Sequence, residues 1–113
     1  MLGGVPKNSH RLAEERSLAL HREIAERISS DPRVLELARK RVRDAVAAGG
    51  PARPWYERWQ EILGRSPTEV ASFLIDDGEE ARALRQVTPF AGVIPARRRW
   101  RIWREVRERW EAS

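Results

Sequence analysis

Hydrophobic residues recur at spacings of three and four along most of this chain, which is the periodicity of amphipathic helices. Helices are predicted at about residues 11–29, 32–48, 54–63, 67–75, 79–86 and 95–111. Only residues 87–94 approach the apolar run of a strand, and their prolines and glycine argue against one. The pattern therefore predicts an all-α fold, an irregular bundle of five to six short helices.

Capping residues and breakers fix the predicted boundaries. Asp31 is placed to cap the second helix, and Pro32 suits its first turn. Ser66 with Glu69 three residues later fits a capping box at the start of the fourth helix. Residues 1–9 hold two glycines and a proline and are predicted to be a flexible tail, which leaves residues 10–113 as a single helical domain.

The segment Thr88–Pro95 differs from everything before it. It contains two prolines, one glycine and three large apolar residues, so it cannot be helical, yet it is too apolar for a solvated connector. We expect it to be buried, either against this chain or against a partner. The helix that follows carries Trp100, Trp103, Val106 and Trp110 at helical spacing, and we expect Trp103 and Val106 to face the core.

The net charge of +5 is concentrated at the C-terminal end of the chain. Residues 96–113 carry seven arginines and three glutamates, and pairs four residues apart can neutralise most of them. Arg97, Arg98 and Arg99 are the surplus, and their place at a helix N-terminus opposes the helix dipole. An external anion would relieve this conflict, as would the acidic cluster at residues 76–80 of the same chain.

Composition excludes several classes of chemistry. The chain has no cysteine and therefore no disulfide, thiolate nucleophile or cysteine-ligated zinc. His10 and His21 are not at metal-ligand spacing, and we expect His21 to be a core residue at the edge of the first helix. There is no phosphate-binding glycine loop or nucleophile elbow. We therefore predict no catalytic, metal or cofactor site, and no enzyme.

Localisation follows from the same composition. No apolar run approaches the roughly 20 residues of a membrane span, and the N-terminal residues lack a signal-peptide pattern. A cytoplasmic protein is predicted.

Three blocks of sequence carry a resemblance to a known group of proteins. They are the Glu-Arg-Ser-Leu-Ala-Leu-His run at 15–21 with its following Ile-Ala, the Trp-x-x-Ile-Leu unit of the third predicted helix, and the stretch 84–105 from Leu-Arg-Gln to Arg-Trp-x-Ile-Trp-Arg-Glu. Together they resemble small bacterial antitoxin-like proteins paired with nucleotidyltransferase-type toxins, over roughly residues 14–107. The resemblance implies an all-helical inhibitor that binds its cognate toxin. The chain departs from many antitoxins in having no recognisable DNA-binding motif.

Two functions are consistent with these features. The first is a non-enzymatic protein-binding module, an antitoxin that neutralises a partner toxin by direct binding. The second is a small basic RNA- or DNA-binding protein that uses the C-terminal Arg/Trp helix. Self-association through that helix is a further alternative. The predicted partner-binding residues are Phe90, Arg97, Arg98, Arg99, Trp100 and Trp110.

Overall fold

The computed structural model describes the backbone of residues 4–112 and the side chains of residues 10–112. Its elements are α1 (Gly4–Ser30), α2 (Pro32–Ala48), α3 (Arg53–Leu63), α4 (Pro67–Leu74), α5 (Glu79–Arg85) and α6 (Ala96–Ala112). No strand occurs among these residues. The predicted all-α bundle is confirmed.

The helix boundaries follow the predicted caps with one difference. A carboxylate oxygen of Asp31 accepts the backbone N–H of Arg33 at 3.0 Å, so this single residue ends α1 and caps α2. Ser66 and Glu69 form the predicted capping box, each side chain accepting the other's backbone N–H at 3.2 Å. The difference is at the start of α1, which begins at Gly4 rather than near Arg11, so residues 4–9 of the predicted tail have helical backbone.

The long helix α1 lies at the centre of the bundle. It packs against α4 and α6 and less extensively against α2 and α5, while α2 and α3 form an antiparallel pair beside it. Every described helix contributes apolar side chains to one continuous core, and α5 contributes Leu84. The fully buried members with the largest side chains are Trp59, Phe90, Ile24, Ile62, Leu63, Leu74 and Leu84.

Trp59 anchors the middle of this core. Its side chain is fully buried, and its indole N–H donates to the carbonyl oxygen of Leu84 at 3.1 Å. Its ring meets Phe73 and Phe90 edge to face, with centroid distances of 5.8 and 6.1 Å. Trp55, four residues before Trp59 on the same helix, is 46 % exposed, whereas Tyr56, three residues before Trp59, packs against the core.

The segment between α5 and α6 packs against its own chain. Pro89, Phe90 and Ile94 are buried within it. The guanidinium of Arg41 on α2 donates to the carbonyl oxygens of Pro89 and Ala91 at 3.1 and 2.5 Å. The expectation that this apolar loop is buried is therefore met within the chain, without a partner.

Candidate functional site: the outer face of the last helix

Phe90 does not belong to any exposed site in this structure. Phe90 is only 1 % exposed and lies against Trp59, so it is not at the surface of this structure, and its role in partner binding stays a prediction. The physical reason is that burying this ring removes a large apolar area from water and places it in edge-to-face contact with Trp59.

His21 joins the same loop to α1. Its Nδ1–H donates to the carbonyl oxygen of Ser17 at 2.7 Å, which leaves Nε2 to accept the hydroxyl hydrogen of Thr88 at 2.9 Å. The Thr88 oxygen in turn accepts the backbone N–H of Phe90 at 3.2 Å. Burial lowers the pKa of His21 from 6.5 to about 4, and the nearby positive charge of Arg85 acts in the same direction. His21 is therefore a neutral core residue, as expected.

The helix α6 runs antiparallel to α1 and turns the predicted residues, Trp103 and Val106, towards the core, with Ile102 buried in addition. Arg98 contacts Glu23 while Trp103, further along α6, contacts Arg16, which lies earlier on α1. Ile102 and Val106 are the buried residues of α6. Trp103 is half-buried against the core. The contact face is thus turned away from Trp100, which is 62 % exposed.

Arg98 is engaged in holding α6 to α1. Its guanidinium pairs with Glu23 at 2.7 Å, and Glu23 also pairs with Arg27 at 3.3 Å. The bond from Arg98 lowers the pKa of the Glu23 carboxyl. Arg98 therefore helps to hold α6 against α1. Because its charge is paired with Glu23, Arg98 is less available to a partner than the sequence alone indicates.

The acidic cluster does not neutralise the arginine triplet. Glu80 pairs with Arg58 at 2.6 Å, and Asp77 pairs with Arg82 at 3.1 Å. The suggestion that residues 76–80 are the internal partner of residues 97–99 is therefore wrong, because local arginines on α3 and α5 reach these carboxylates first.

Three exposed arginines on α6 have no ion pair or hydrogen bond to any residue that the structure describes. They are Arg97, Arg101 and Arg104. The predicted pairing of α6 with itself forms at Arg107 and Glu111, at 3.6 Å. It does not form at Arg101 or Arg104, since exposed pairs gain little over water and their long side chains keep other rotamers.

Aromatic and cationic side chains meet along the outer face of α6. Trp100 and Trp103 contact edge to face with centroids 5.3 Å apart. The guanidinium carbons of Arg16 and Arg99 lie 5.9 and 5.8 Å from the centre of the Trp103 ring. Sequence reasoning missed Arg16, because no local pattern places a residue of α1 beside one 87 positions later. We define the aromatic–arginine face as Arg16, Arg97, Arg99, Trp100, Trp103 and Arg104.

The remaining predicted site residue, Trp110, is half-buried near the end of α6. Its part in partner binding stays a prediction.

The described residues show neither a metal-ligand cluster nor a membrane-spanning helix. Among residues 10–112, no three His, Asp or Glu side chains are grouped to hold a metal ion. None of the helices within residues 4–112 combines the length and the apolar content needed to cross a bilayer.

Comparison with protein-family models, with curated proteins and with solved structures finds no match to this chain.

Proposed function

We propose that this chain is a non-enzymatic protein-binding module that contacts an acidic partner through the aromatic–arginine face. The observation that carries the proposal is the exposure of Trp100, which is 62 % accessible to solvent and lies beside cations that have no partner among the described residues. Tryptophan and arginine are the residue types that contribute most to protein interfaces when they are buried by a partner.

The spacing of this face supports one continuous contact. Arg97, Trp100 and Arg104 are three and four residues apart, so they lie side by side on the helix surface away from Ile102. Covering a tryptophan removes a large apolar area from water, while the flanking guanidinium groups can pair with carboxylates. A partner that combines an apolar depression with acidic side chains would fit both features.

The specific form that the resemblance suggests is an antitoxin. In that case the partner is a cognate toxin of the nucleotidyltransferase type in a bacterial cytoplasm, and the chain neutralises it by direct binding. Relative to the sequence-based hypothesis, the contact surface shifts. Phe90 is no longer part of it, Arg98 is occupied by Glu23, and Arg16 is added.

A capture experiment with two tryptophan variants tests this proposal. The purified chain is immobilised, proteins retained at high salt are identified, and the variants Trp100→Ala and Trp55→Ala are compared. Trp55 is a matched control, because it is also exposed but lies on α3. We expect Trp55→Ala to retain the same protein and Trp100→Ala to lose it.

The antitoxin form needs a second measurement. Expression of the captured protein alone should arrest growth, and co-expression of the wild-type chain should restore growth where the Trp100→Ala variant does not. Equal capture by both tryptophan variants would refute the use of this face. Capture without toxicity would refute the antitoxin form and leave a binding module of another kind.

Nucleic-acid binding is the second candidate, favoured by the lack of internal partners for Arg97, Arg101 and Arg104. Each phosphate contact contributes about −0.9 to the slope of log affinity against log salt concentration on duplex DNA, so three contacts predict a slope of about −2.7. Co-purifying material that absorbs at 260 nm and leaves with that salt dependence would favour this candidate. Salt-resistant capture of one protein favours the first.

A further inference from the structure

Two guanidinium groups from different helices share one indole ring. Arg16 comes from α1 and Arg99 from α6, and each lies within 6 Å of the centre of Trp103. Both arginines are half-buried, so packing limits the conformations that their side chains can adopt. Trp100 closes one side of the arrangement through its edge-to-face contact with Trp103.

Neither guanidinium has an acceptor among the described residues, which distinguishes this pair from other partly or fully buried arginines. Arg98 has the carboxylate of Glu23. Arg85, only 5 % exposed, donates to two backbone carbonyl oxygens at the end of α4. Arg16 has no such acceptor, and its Nε atom is buried without a hydrogen-bond partner.

This arrangement has an electrostatic cost that an anion would remove. The face of the ring attracts each cation, but two cations beside one ring repel each other. An anion within reach of both guanidinium groups would pair with both charges at once. Because the rings already restrict both side chains, binding would cost less side-chain entropy than it would at a freely rotating surface arginine.

We propose that Arg16, Arg99 and Trp103 form a receptor for a single carboxylate, supplied by an Asp or Glu side chain of the protein partner. This inference rests on the proposed protein-binding function and names the group that the face recognises. The outer edges of the two guanidinium groups would donate to the carboxylate oxygens, and the exposed ring of Trp100 would contact an apolar side chain next to the acidic one.

A carboxylate fits this site better than the phosphates of a nucleic acid. A nucleic-acid backbone that followed α6 beyond Trp103 would meet Glu105 and Glu108, both exposed. These two carboxylates offset the charges of Arg104 and Arg107 on the same path, whereas a single acidic side chain beside Trp103 meets neither carboxylate. The receptor is therefore a local contact and not one step of an extended phosphate track.

Titration with small anions tests the site without knowledge of the partner. The full-length chain, labelled with ¹⁵N, is titrated with propionate, with inorganic phosphate and with chloride at matched ionic strength. The signals followed are the indole N–H of Trp103 and the Nε–H of Arg16 and Arg99. We expect saturable shifts with propionate and only small linear shifts with chloride.

Variants connect the shifts to these residues. Arg16→Gln and Arg99→Gln should each weaken propionate binding by roughly tenfold, the loss expected for one charge-assisted hydrogen-bonded contact. Arg22→Gln is the matched control, since Arg22 is an exposed arginine of the same helix as Arg16 and should leave binding unchanged. Arg16→Lys keeps the charge without the planar fork, and it should fold normally and bind propionate more weakly than wild type.

Three outcomes would overturn the receptor. Propionate shifts that match those of chloride would exclude a carboxylate site, as would propionate binding unaffected by Arg16→Gln. Saturation with phosphate but not with propionate would reassign the ligand to a phosphate and favour nucleic acid. Failure of this proposal is separable from failure of the proposed function. If Arg16→Gln still captures the partner while Trp100→Ala does not, the protein-binding face stands and the carboxylate receptor fails.

Discussion

Acidification should destabilise this protein through one residue, His21. Burial lowers its pKa in the folded chain to about 4, while the unfolded chain has the ordinary value of 6.5. Between these values the unfolded chain binds a proton that the folded chain does not, so the free energy of unfolding falls as the pH falls. The stabilisation is complete above pH 6.5 and is lost progressively as the pH approaches 4.

The magnitude follows from the same two values. One proton changes the free energy of unfolding by at most about 1.4 kcal/mol per pH unit, which gives a loss of about 2 kcal/mol between pH 7 and pH 5. Carboxylates with lowered pKa values, such as Glu23 and Glu80, lose their contribution only below their ordinary value of 4.5. The interval from pH 7 to pH 5 therefore isolates the histidine.

Urea unfolding followed by tryptophan fluorescence measures this dependence at half-unit intervals of pH. The variant His21→Gln should have a nearly flat profile between pH 7 and pH 5, whatever its absolute stability. His10→Gln is the control, since His10 is exposed on α1, and it should keep the wild-type slope. A flat wild-type profile, or an unchanged slope in His21→Gln, would refute the assignment of a neutral buried imidazole.

Four further predictions concern stability and can be measured by urea unfolding at pH 7.5. Phe90→Ala should cost about 3–5 kcal/mol, because it leaves a cavity in the core beside Trp59; a loss below 1 kcal/mol would contradict the burial of the loop. Ser66→Ala should cost about 1 kcal/mol by removing the capping box, and Ser66→Asp should restore most of that loss. Arg85→Ala should cost about 1–3 kcal/mol, because it removes the donor to the carbonyl oxygens of Leu74 and Asp76. An unchanged urea midpoint would show that water replaces the guanidinium as the donor. Trp100→Ala should change stability by no more than about 0.5 kcal/mol, so a larger loss would mean that this ring supports the fold and not a partner.

The fold could be predicted because its signals are local. The order of the helices follows from three- and four-residue periodicity, and Asp31 and Ser66 mark boundaries through bonds to residues two or three positions away. Burial of the segment after α5 follows from its composition, because exposing its large apolar side chains to water would be unfavourable.

Features that depend on distant contacts could not be predicted in the same way. Helical periodicity predicts that Trp103 and Val106 face the core, but the fuller burial of Ile102 than of Trp103 depends on the surface of α1. No local pattern marks Arg39 or Arg41 of α2 as contacting another segment, yet Arg39 donates to the carbonyl oxygen of Leu63, and Arg41 to two carbonyl oxygens of the loop. A charge count cannot distinguish a guanidinium that caps a carbonyl from one that faces solvent.

The docking of α6 mainly on α1 has a consequence for the dynamics of the candidate site. Its buried side chains are Ile102 and Val106, and the ion pair between Arg98 and Glu23 joins it to α1. A helix that packs mainly on one neighbour can open as a unit while the rest of the core stays closed. We therefore expect amide protons of α6 to exchange with solvent faster than those of α3. A partner that contacts both Arg16 and Trp103 would slow this exchange, so binding and local order would rise together.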